Sequence, residues 1–339
     1  MKLKNLFILF FLLTSLTIID SYSQTGIVLP ILIESPDARY SGMGNAGTAI
    51  ANDVYATYIN PGGLGFLKQK IEPGGFLSGE SIDDIPSYLE GAISYSILPL
   101  YTNSPKTNLN ITAGSYFESL SGTLALDFTY EGLGEMTRTS ENGTSLGKTH
   151  ANNFIFGLAY GTTFGNDWGF GVKFKFIQSN LATAPVPPNY YTEETMGSSS
   201  YAFDIGVLWR PQKLNLLGME LGNVISLGAN LKNIGPGVSY NILYRYTYKS
   251  PTEPIPTQLR LGAGFNLLHN KINDLMVAFD VSKLLVYNST TLNINGVDTT
   301  YKTNSDGLPK SLITGWKSPG VDFGLGAEYW YMHLIAFRA

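Results

Sequence analysis

Beyond about residue 88 the chain alternates apolar and polar side chains for roughly ten residues at a time, and each stretch ends in a turn. In the clearest stretch, 168–176, tryptophan, phenylalanine and valine occupy the even positions, while glycine and lysine occupy the odd positions. Successive side chains of a β-strand point to opposite faces, so this pattern predicts a strand with one apolar and one polar face. The alternation predicts strands that start near residues 88, 109, 123, 152, 167, 201, 223, 257, 274, 311, 321 and 334.

Alternation alone does not separate a membrane barrel from a β-sandwich, but the connections between the strands favour the barrel. Short turns such as 165–167 are followed by long connections such as 180–200 and 286–310. Outer-membrane barrels have short periplasmic turns and longer external loops, with aromatic residues near both membrane interfaces. We therefore predict an all-β fold over residues 71–339: a transmembrane antiparallel β-barrel of about 12–14 strands, with 14 favoured.

The N-terminus predicts export. Lys2 and Lys4 precede an apolar run over 6–19, and Ser21–Ser23 resembles a signal-peptidase site, so residues 1–23 are interpreted as a cleavable signal peptide. An uncleaved membrane anchor is the alternative, but the run is short for one. No later segment has the roughly 18 consecutive apolar residues of a transmembrane helix. The expected location is the outer membrane, in contact with lipid and lipopolysaccharide.

Residues 24–70 lack the period-two pattern and are rich in glycine, alanine and asparagine. Such a segment could be a disordered leader or a plug folded into the lumen of the barrel. Its apolar residues, among them Ile31, Leu32, Leu64 and Phe66, argue against simple disorder. We therefore expect an N-terminal plug, or hatch, over 24–70.

Composition and motifs argue against catalysis and cofactor binding. The net charge of −4 and the lack of a Lys/Arg run argue against nucleic-acid binding, and without cysteine there is no disulfide or thiolate zinc site. The sequence at 42–47 spells G-x-G-x-x-G, but no acid follows roughly twenty residues later, as a dinucleotide site requires. The three histidines lie far apart. We expect no cofactor, no metal and no enzyme activity, although a Ser–His pair assembled across strands remains the alternative.

The connection after residue 183 contains Pro187, Pro188, Tyr190 and Tyr191. Proline stiffens the backbone, and tyrosine buries contact area at a low entropic penalty. This stretch is either an ordinary external loop or a surface that contacts another protein. We take these four residues as candidates for partner binding.

Several motifs together resemble one family. The N-terminal motifs are Ser35–Arg39, Gly42–Gly47 and Tyr58–Leu64, and later ones are Leu227–Pro236, Pro256–Ala263, Asp280–Val286 and Gly326–Tyr331. In this order they are similar to the PorV/PorQ family, and the later ones to its PorV branch, over nearly the whole predicted mature chain. That family is related to the FadL long-chain fatty-acid transporters.

The resemblance implies a FadL-like barrel, usually of fourteen strands, in the type IX secretion system of Bacteroidota. It implies that Asp37, Arg39, Gly42, Gly44, Asn60 and Pro61 belong to the plug. It further implies that the protein binds a translocon subunit and the C-terminal signal domains of secreted proteins, and passes them to the surface attachment machinery. The alternative function is a transporter of hydrophobic small molecules, as FadL relatives suggest, and a purely structural barrel is a third.

This sequence departs from the family pattern in three places. Tyr287–Thr291 replaces a proline-rich stretch, and 316–320 shortens a longer segment. The sequence also stops at 337–339, where the family continues to an aromatic end. These departures leave two expectations open: a truncated C-terminus and a divergent paralogue with another client.

Overall fold

Eleven strands form one antiparallel sheet in which each strand pairs with its neighbours in chain order. The computed structural model describes residues 29–70, 89–98, 105–139, 145–183, 195–216, 218–239, 242–244, 247–249, 252–270, 272–285, 287–291, 300–304, 308–313, 320–332 and 334–339. The strands are β1 Leu89–Leu98, β2 Lys106–Phe117, β3 Gly122–Thr139, β4 Ser145–Phe164, β5 Trp168–Thr183, β6 Thr195–Trp209, β7 Ile225–Ile234, β8 Gln258–His269, β9 Asn273–Leu284, β10 Val321–Tyr331 and β11 Ile335–Arg338. The predicted all-β antiparallel fold class is confirmed.

The two faces of the sheet differ as the alternation predicts. On β5, Phe170, Val172 and Phe174 are 42%, 52% and 40% exposed, while Lys173 and Lys175 between them are buried. On β6, Phe203 and Ile205 are exposed, and the intervening Asp204 is buried. The sheet therefore has an apolar outer face and a polar inner face, the reverse of a soluble protein.

The remaining elements are short. Two-stranded ribbons pair Asn215–Leu216 with Met219–Glu220, Val238–Ser239 with Thr252–Glu253, Ile242–Tyr244 with Thr247–Lys249, and Tyr287–Thr291 with Thr300–Asn304. The helices are α1 Ala38–Ser41, α2 Ala56–Ile59 and α3 Leu308–Ile313, with 3₁₀ turns at Pro30–Leu32, Pro61–Lys70 and Glu118–Leu120. No helix in the described parts of the chain is long and apolar enough to cross a membrane.

The strand predicted to start near residue 311 is wrong, because Leu308–Ile313 is the helix α3. Proline lacks a backbone N–H and has a fixed φ, so Pro309 fits the first turn of a helix and disfavours a central strand. The other predicted starts match the described strands, some of which begin several residues earlier. The predicted total of about 12–14 strands remains a prediction, because 71–88 lies outside the described residues.

The inner face surrounds the N-terminal segment, which we define as residues 29–70. The contacts of this segment, taken strand by strand from β1 to β10, are Pro36 with Ser94, Glu34 with Lys106, Tyr58 with Thr129, Leu64 with Gly161, Pro61 with Gly171, Asn60 with Val207, Ile59 with Asn230, Asn45 with Arg260, Thr48 with Asp280, and Arg39 with Glu328. One short segment reaches ten successive strands only if the sheet curves around it. The fold thus places the segment in the concavity of the sheet.

Candidate functional site

The interface between the N-terminal segment and the inner face combines close backbone packing, hydrogen bonds and ion pairs. On the strand side, its central feature is a set of glycines that we call the glycine belt: Gly161, Gly169, Gly171, Gly206, Gly228, Gly262, Gly264, Gly324 and Gly326. Atoms of the segment occupy the space where a side chain would stand on each of them. On Gly171, for example, a Cβ would overlap the Pro61 carbonyl group. The belt therefore lets the backbone of the segment lie directly against the strands.

Asn60 and Pro61, two of the predicted plug residues, join the segment to the belt. The buried Asn60 side-chain amide donates to the carbonyl oxygens of Thr48 at 2.8 Å and Val207 at 3.0 Å, and its Oδ1 accepts from the Gly62 N–H at 3.1 Å. Pro61 begins the 3₁₀ turn, a position that suits a residue without a backbone N–H. Asn60 therefore satisfies buried backbone groups of both the segment and β6.

Gly42 and Gly44 form the turn after α1, which packs against β10. Gly44 has a φ of +60°, a left-handed conformation that favours glycine, and a Cβ there would lie 2.9 Å from the Leu325 carbonyl oxygen on β10. Gly42 has an ordinary φ of −70° and caps α1 through hydrogen bonds to Ala38 and Tyr40. The glycines that spell G-x-G-x-x-G thus permit a tight turn against a strand.

Arg39 ties the segment to β10. Its guanidinium donates to both carboxylate oxygens of Glu328, at 2.9 and 3.0 Å, and to Asp53 Oδ2 at 2.7 Å. Arg338 on β11 also contacts Glu328, at 2.6 Å. Bidentate Arg–carboxylate contacts combine charge with fixed geometry, so Arg39 sets the position of α1 relative to β10.

Asp37 caps the N-terminus of α1, where its Oδ1 accepts from the Tyr40 N–H at 2.9 Å. Burial raises the pKa of the Asp37 carboxyl from 3.8 to about 6, against the opposing effect of that hydrogen bond. Asp53 adds to the rise in pKa by charge repulsion. A raised pKa means that the folded chain binds this proton more tightly than the unfolded chain, so acidification through about pH 6 favours the docked segment.

Asp280 on β9 forms a second polar contact between the inner face and the N-terminal segment. Its carboxylate accepts from the Gly47 N–H at 3.1 Å, the Thr48 N–H at 3.0 Å and the Thr48 hydroxyl at 2.6 Å. Arg260 on β8 pairs with the same carboxylate at 2.9 Å. One buried carboxylate therefore neutralises an arginine and satisfies two backbone donors of the segment.

An apolar core completes the interface. Tyr40, Met43, Ile59, Leu64 and Leu67 from the segment are at most 1% exposed. They belong to one cluster with three small residues of the inner face, which are Ala125, Ala159 and Ala278. Each large side chain buried in this way stabilises the docked state by about 1.5–3 kcal/mol.

Next to the belt, the inner face of β3, β5 and β6 is charged. Lys173 pairs with Asp127, and Lys175 pairs with Asp204, each at 2.8 Å. Lys173 also lies 4.3 Å from the centre of the Tyr58 ring. A small cavity separates these groups from the first residues of the segment.

The six predicted plug residues all lie at this interface, whereas the predicted partner residues Pro187, Pro188, Tyr190 and Tyr191 lie outside the described residues. Asp280 and Glu328, which bind the segment from the strands, were not among the predicted site residues, and neither was Asp53 within the segment. The signals for Asp280 and Glu328 were a charged residue at an inner-face position of a strand and a place within the motifs Asp280–Val286 and Gly326–Tyr331. Among the residues that the structure describes, no cluster of His, Asp or Glu could hold a metal ion.

Comparison with known families identifies the chain. The sequence model described as type IX secretion system protein PorV matches residues 106–291, which is more than half of the chain. The chain belongs to the PorV family. PorV-family proteins are outer-membrane proteins, and the family is not one of enzymes.

Two solved structures are similar in fold to this PorV-family chain. They are the toluene transporter TbuX of Ralstonia pickettii, 11% identical with a TM-score of 0.48, covering 92% of this chain and 86% of that one, and the toluene transporter TodX of Pseudomonas putida, 10% identical with a TM-score of 0.49, covering 93% of this chain and 84% of that one. No curated protein matches the chain.

A charge on the outer face of the PorV-family sheet should impair membrane insertion. Val172→Arg places a cation at an outward position that is 52% exposed on β5. Near the bilayer midplane, such a change is expected to destabilise the folded barrel by about 2–4 kcal/mol. Folding into lipid vesicles, followed by the shift in gel mobility between unheated and heated samples, measures the effect. Asn166→Arg in the exposed turn before β5 is the control and should fold like the wild type; equal loss in both variants would refute a lipid-facing Val172.

Proposed function

We propose that this protein is the outer-membrane component of a type IX secretion system that binds secreted substrates, or the translocon, through its external connections. It then passes substrates to the surface attachment machinery. Membership of the PorV family is the single observation that carries this proposal. The partners themselves are inferred from the resemblance, and they include the C-terminal signal domains of secreted proteins.

The interface of the N-terminal segment supports binding over passage. Passage through the lumen would require the segment to move. Movement would break the Arg39–Glu328 and Asp280–Thr48 contacts and expose the apolar core around Leu64. Each of these losses disfavours the displaced state, since buried charges left without partners are strongly destabilising. We therefore propose that residues 24–70 act as a fixed plug and that partners bind to the external connections between the strands.

The proposed binding surface includes the connection between β5 and β6, with Pro187, Pro188, Tyr190 and Tyr191. Affinity purification of the tagged protein from its own membranes tests it. The wild type should recover a large translocon subunit and secreted proteins that share a C-terminal signal domain. A Tyr190→Ala/Tyr191→Ala double variant should reduce that recovery by about tenfold, the loss expected for one strong interface contact.

The matched control is Asn166→Ala, which lies in the turn before β5 at the opposite end of that strand. It should recover the same partners as the wild type. If no such partners are recovered with the wild type and fatty acids co-purify in their place, the transporter function replaces the proposed one. If the tyrosine variant recovers the partners normally, the function stands and the proposed surface is wrong.

A further inference from the structure

The connection between β7 and β8 turns across the inner face of the sheet where it leaves β7. Asn233 adopts a left-handed conformation, with a φ of +58°, one position before β7 ends. Asparagine enters this conformation more readily than most residues other than glycine. Gly235 then lies so close to β6 that a Cβ on it would overlap the Tyr201 carbonyl oxygen. The chain is therefore directed inward from this point.

Two stretches of this connection, 235–239 and 252–257, lie over the inner face, and we call them the inner ribbon because they pair with each other. Val238 and Ile255 of the inner ribbon are at most 1% exposed. The hydroxyl of Ser200, an inner-face residue of β6, donates to a backbone carbonyl of the ribbon at 3.1 Å. The inner ribbon thus buries its apolar side chains within the concavity of the sheet.

The inner ribbon and the first residues of the N-terminal segment share one apolar cluster. Besides Val238 and Ile255, its members are Leu29, Ile31 and Leu32 of the segment, and Ile155, Ile177 and Ala202 of the inner face. None of them is more than 8% exposed. This cluster is distinct from the core around Leu64, which packs the rest of the segment. The inner ribbon is therefore held by contacts other than those of that core and of the glycine belt.

The buried Asn233 side chain joins the inner ribbon to the segment. Its amide group donates to the carbonyl oxygens of Pro256 in the ribbon, at 2.9 Å, and of Leu32 in the segment, at 3.3 Å. Its Oδ1 accepts from the Lys175 ammonium group on β5. The Asn233 carbonyl oxygen also accepts from the Thr257 hydroxyl at 2.8 Å. One residue thus connects the inner ribbon, the segment and the sheet.

The inner ribbon lies at the end of the lumen where the long connections leave the strands. It contacts β6 at Ser200, five residues after that strand begins. The N-terminal segment begins beside the ribbon at Leu29 and reaches the opposite end, where Phe66 lies against Gly169 near the short turn 165–167. In outer-membrane barrels the long connections are external and the short turns are periplasmic. This orientation places the inner ribbon at the external end.

We propose that the inner ribbon is a lid that closes the external end of the lumen and holds the first residues of the N-terminal segment in place. The lumen is then closed twice, by the segment along its length and by the ribbon at its external end. Because the two closures use different contacts, release of the segment from the glycine belt leaves the lid in place. The lid does not depend on which partner the protein binds outside.

Labelling of one introduced thiol in intact cells tests the lid. The chain lacks cysteine, and Ser200→Cys places a thiol of nearly the same size directly under the inner ribbon. Thr252→Cys places a thiol on the exposed side of the ribbon. When a membrane-impermeant maleimide is added to the cells, Thr252→Cys should react rapidly and Ser200→Cys slowly. Equal rates would overturn the lid, and labelling of Thr252→Cys only after lysis would overturn its external position.

Asn233→Gly tests whether the Asn233 side chain holds the lid closed. Glycine adopts the left-handed conformation freely, so the change removes the side-chain hydrogen bonds without straining the backbone. In this background Ser200→Cys should label at least about tenfold faster, the effect of one lost buried hydrogen bond. Asn223→Gly is the matched control, because Asn223 precedes β7 with the same φ of +58° but has an exposed side chain. Equal labelling in the two glycine variants would contradict the role of Asn233.

A further pair of variants does not depend on the folding of Asn233→Gly. Ile255→Ala removes an apolar contact of the inner ribbon and should speed the labelling of Ser200→Cys by about 30-fold or more, as a typical core truncation does. Thr252→Ala changes the exposed side of the ribbon and should leave the rate unchanged. The gel mobility of unheated samples shows that each variant is folded. A labelling rate that Ile255→Ala does not raise would overturn the lid.

Discussion

Asp280→Asn should lower the free energy of unfolding by about 3–5 kcal/mol, the usual effect of removing one partner from a buried ion pair. The substitution leaves the buried Arg260 guanidinium without its carboxylate and weakens the acceptor for the Gly47 and Thr48 backbone groups. Asparagine nearly preserves the size of the side chain, so a cavity does not explain the loss. Urea unfolding in detergent, followed by tryptophan fluorescence, measures it.

The control for Asp280→Asn lies on the same strand. Asp274 on β9 pairs with His269, whose side chain is 61% exposed. Exposed pairs contribute little, so Asp274→Asn should change the free energy of unfolding by about 0–1 kcal/mol. If the two variants are equally stable, the contacts of Asp280 with the N-terminal segment do not stabilise the folded protein.

Gly171→Ala should loosen the N-terminal segment from the strands. The new Cβ would overlap the Pro61 carbonyl, a backbone group that moves only with the segment. Overpacking of this kind destabilises the docked state by about 1–3 kcal/mol, so the population of undocked segment should rise by about 5- to 150-fold. We expect this rise to show as faster chemical labelling of a buried position in the segment.

The chain lacks cysteine, which makes a single introduced thiol a clean reporter of undocking. Thr57 is fully buried in α2, and its hydroxyl makes no hydrogen bond with any residue that the structure describes, so Thr57→Cys changes little else. Maleimide should label this thiol about 5- to 150-fold faster when Gly171→Ala is also present. Gly91→Ala on β1 is the control, because its Cβ would have only an ordinary contact, 3.7 Å from Thr112. Equal labelling with both glycine substitutions would contradict the role of the glycine belt.

The strands and their faces could be predicted from the sequence because apolar and polar residues alternate along a half-buried strand. Phe170 and Lys173 follow this alternation and lie on the predicted faces. The exception near residue 311 arose where a few apolar residues fitted strand and helix equally, and Pro309 favoured the helix. Local alternation decides strands well only when it extends over most of a strand.

The contacts of the N-terminal segment could not be predicted in the same way. The motifs within 35–64 indicate which residues of the segment belong to the plug. They do not indicate the contacts of these residues, since the partner of Thr48 is Asp280, 232 positions later. Such a pairing depends on the register of β8 and β9 and on the curvature of the whole sheet.

The central claim is that the N-terminal segment stays docked while the protein works in secretion. A disulfide between the segment and β8 can test it, since a Cβ on Gly264 would lie 3.8 Å from the Ala49 Cβ, close to the spacing in a disulfide. That Cβ also comes within 2.5 Å of Ser226 Oγ and 2.6 Å of Ile50 Cγ2, side-chain atoms that can rotate away. The two single-cysteine variants serve as controls for these local contacts.

The decisive measurement is type IX secretion by cells that carry only the Ala49→Cys/Gly264→Cys protein, compared before and after reduction of the disulfide. If the segment is a fixed plug, the oxidised protein secretes as well as the wild type and reduction changes nothing. Secretion that is lost with the disulfide formed and restored by the reductant would show that the segment must move, and would contradict the account.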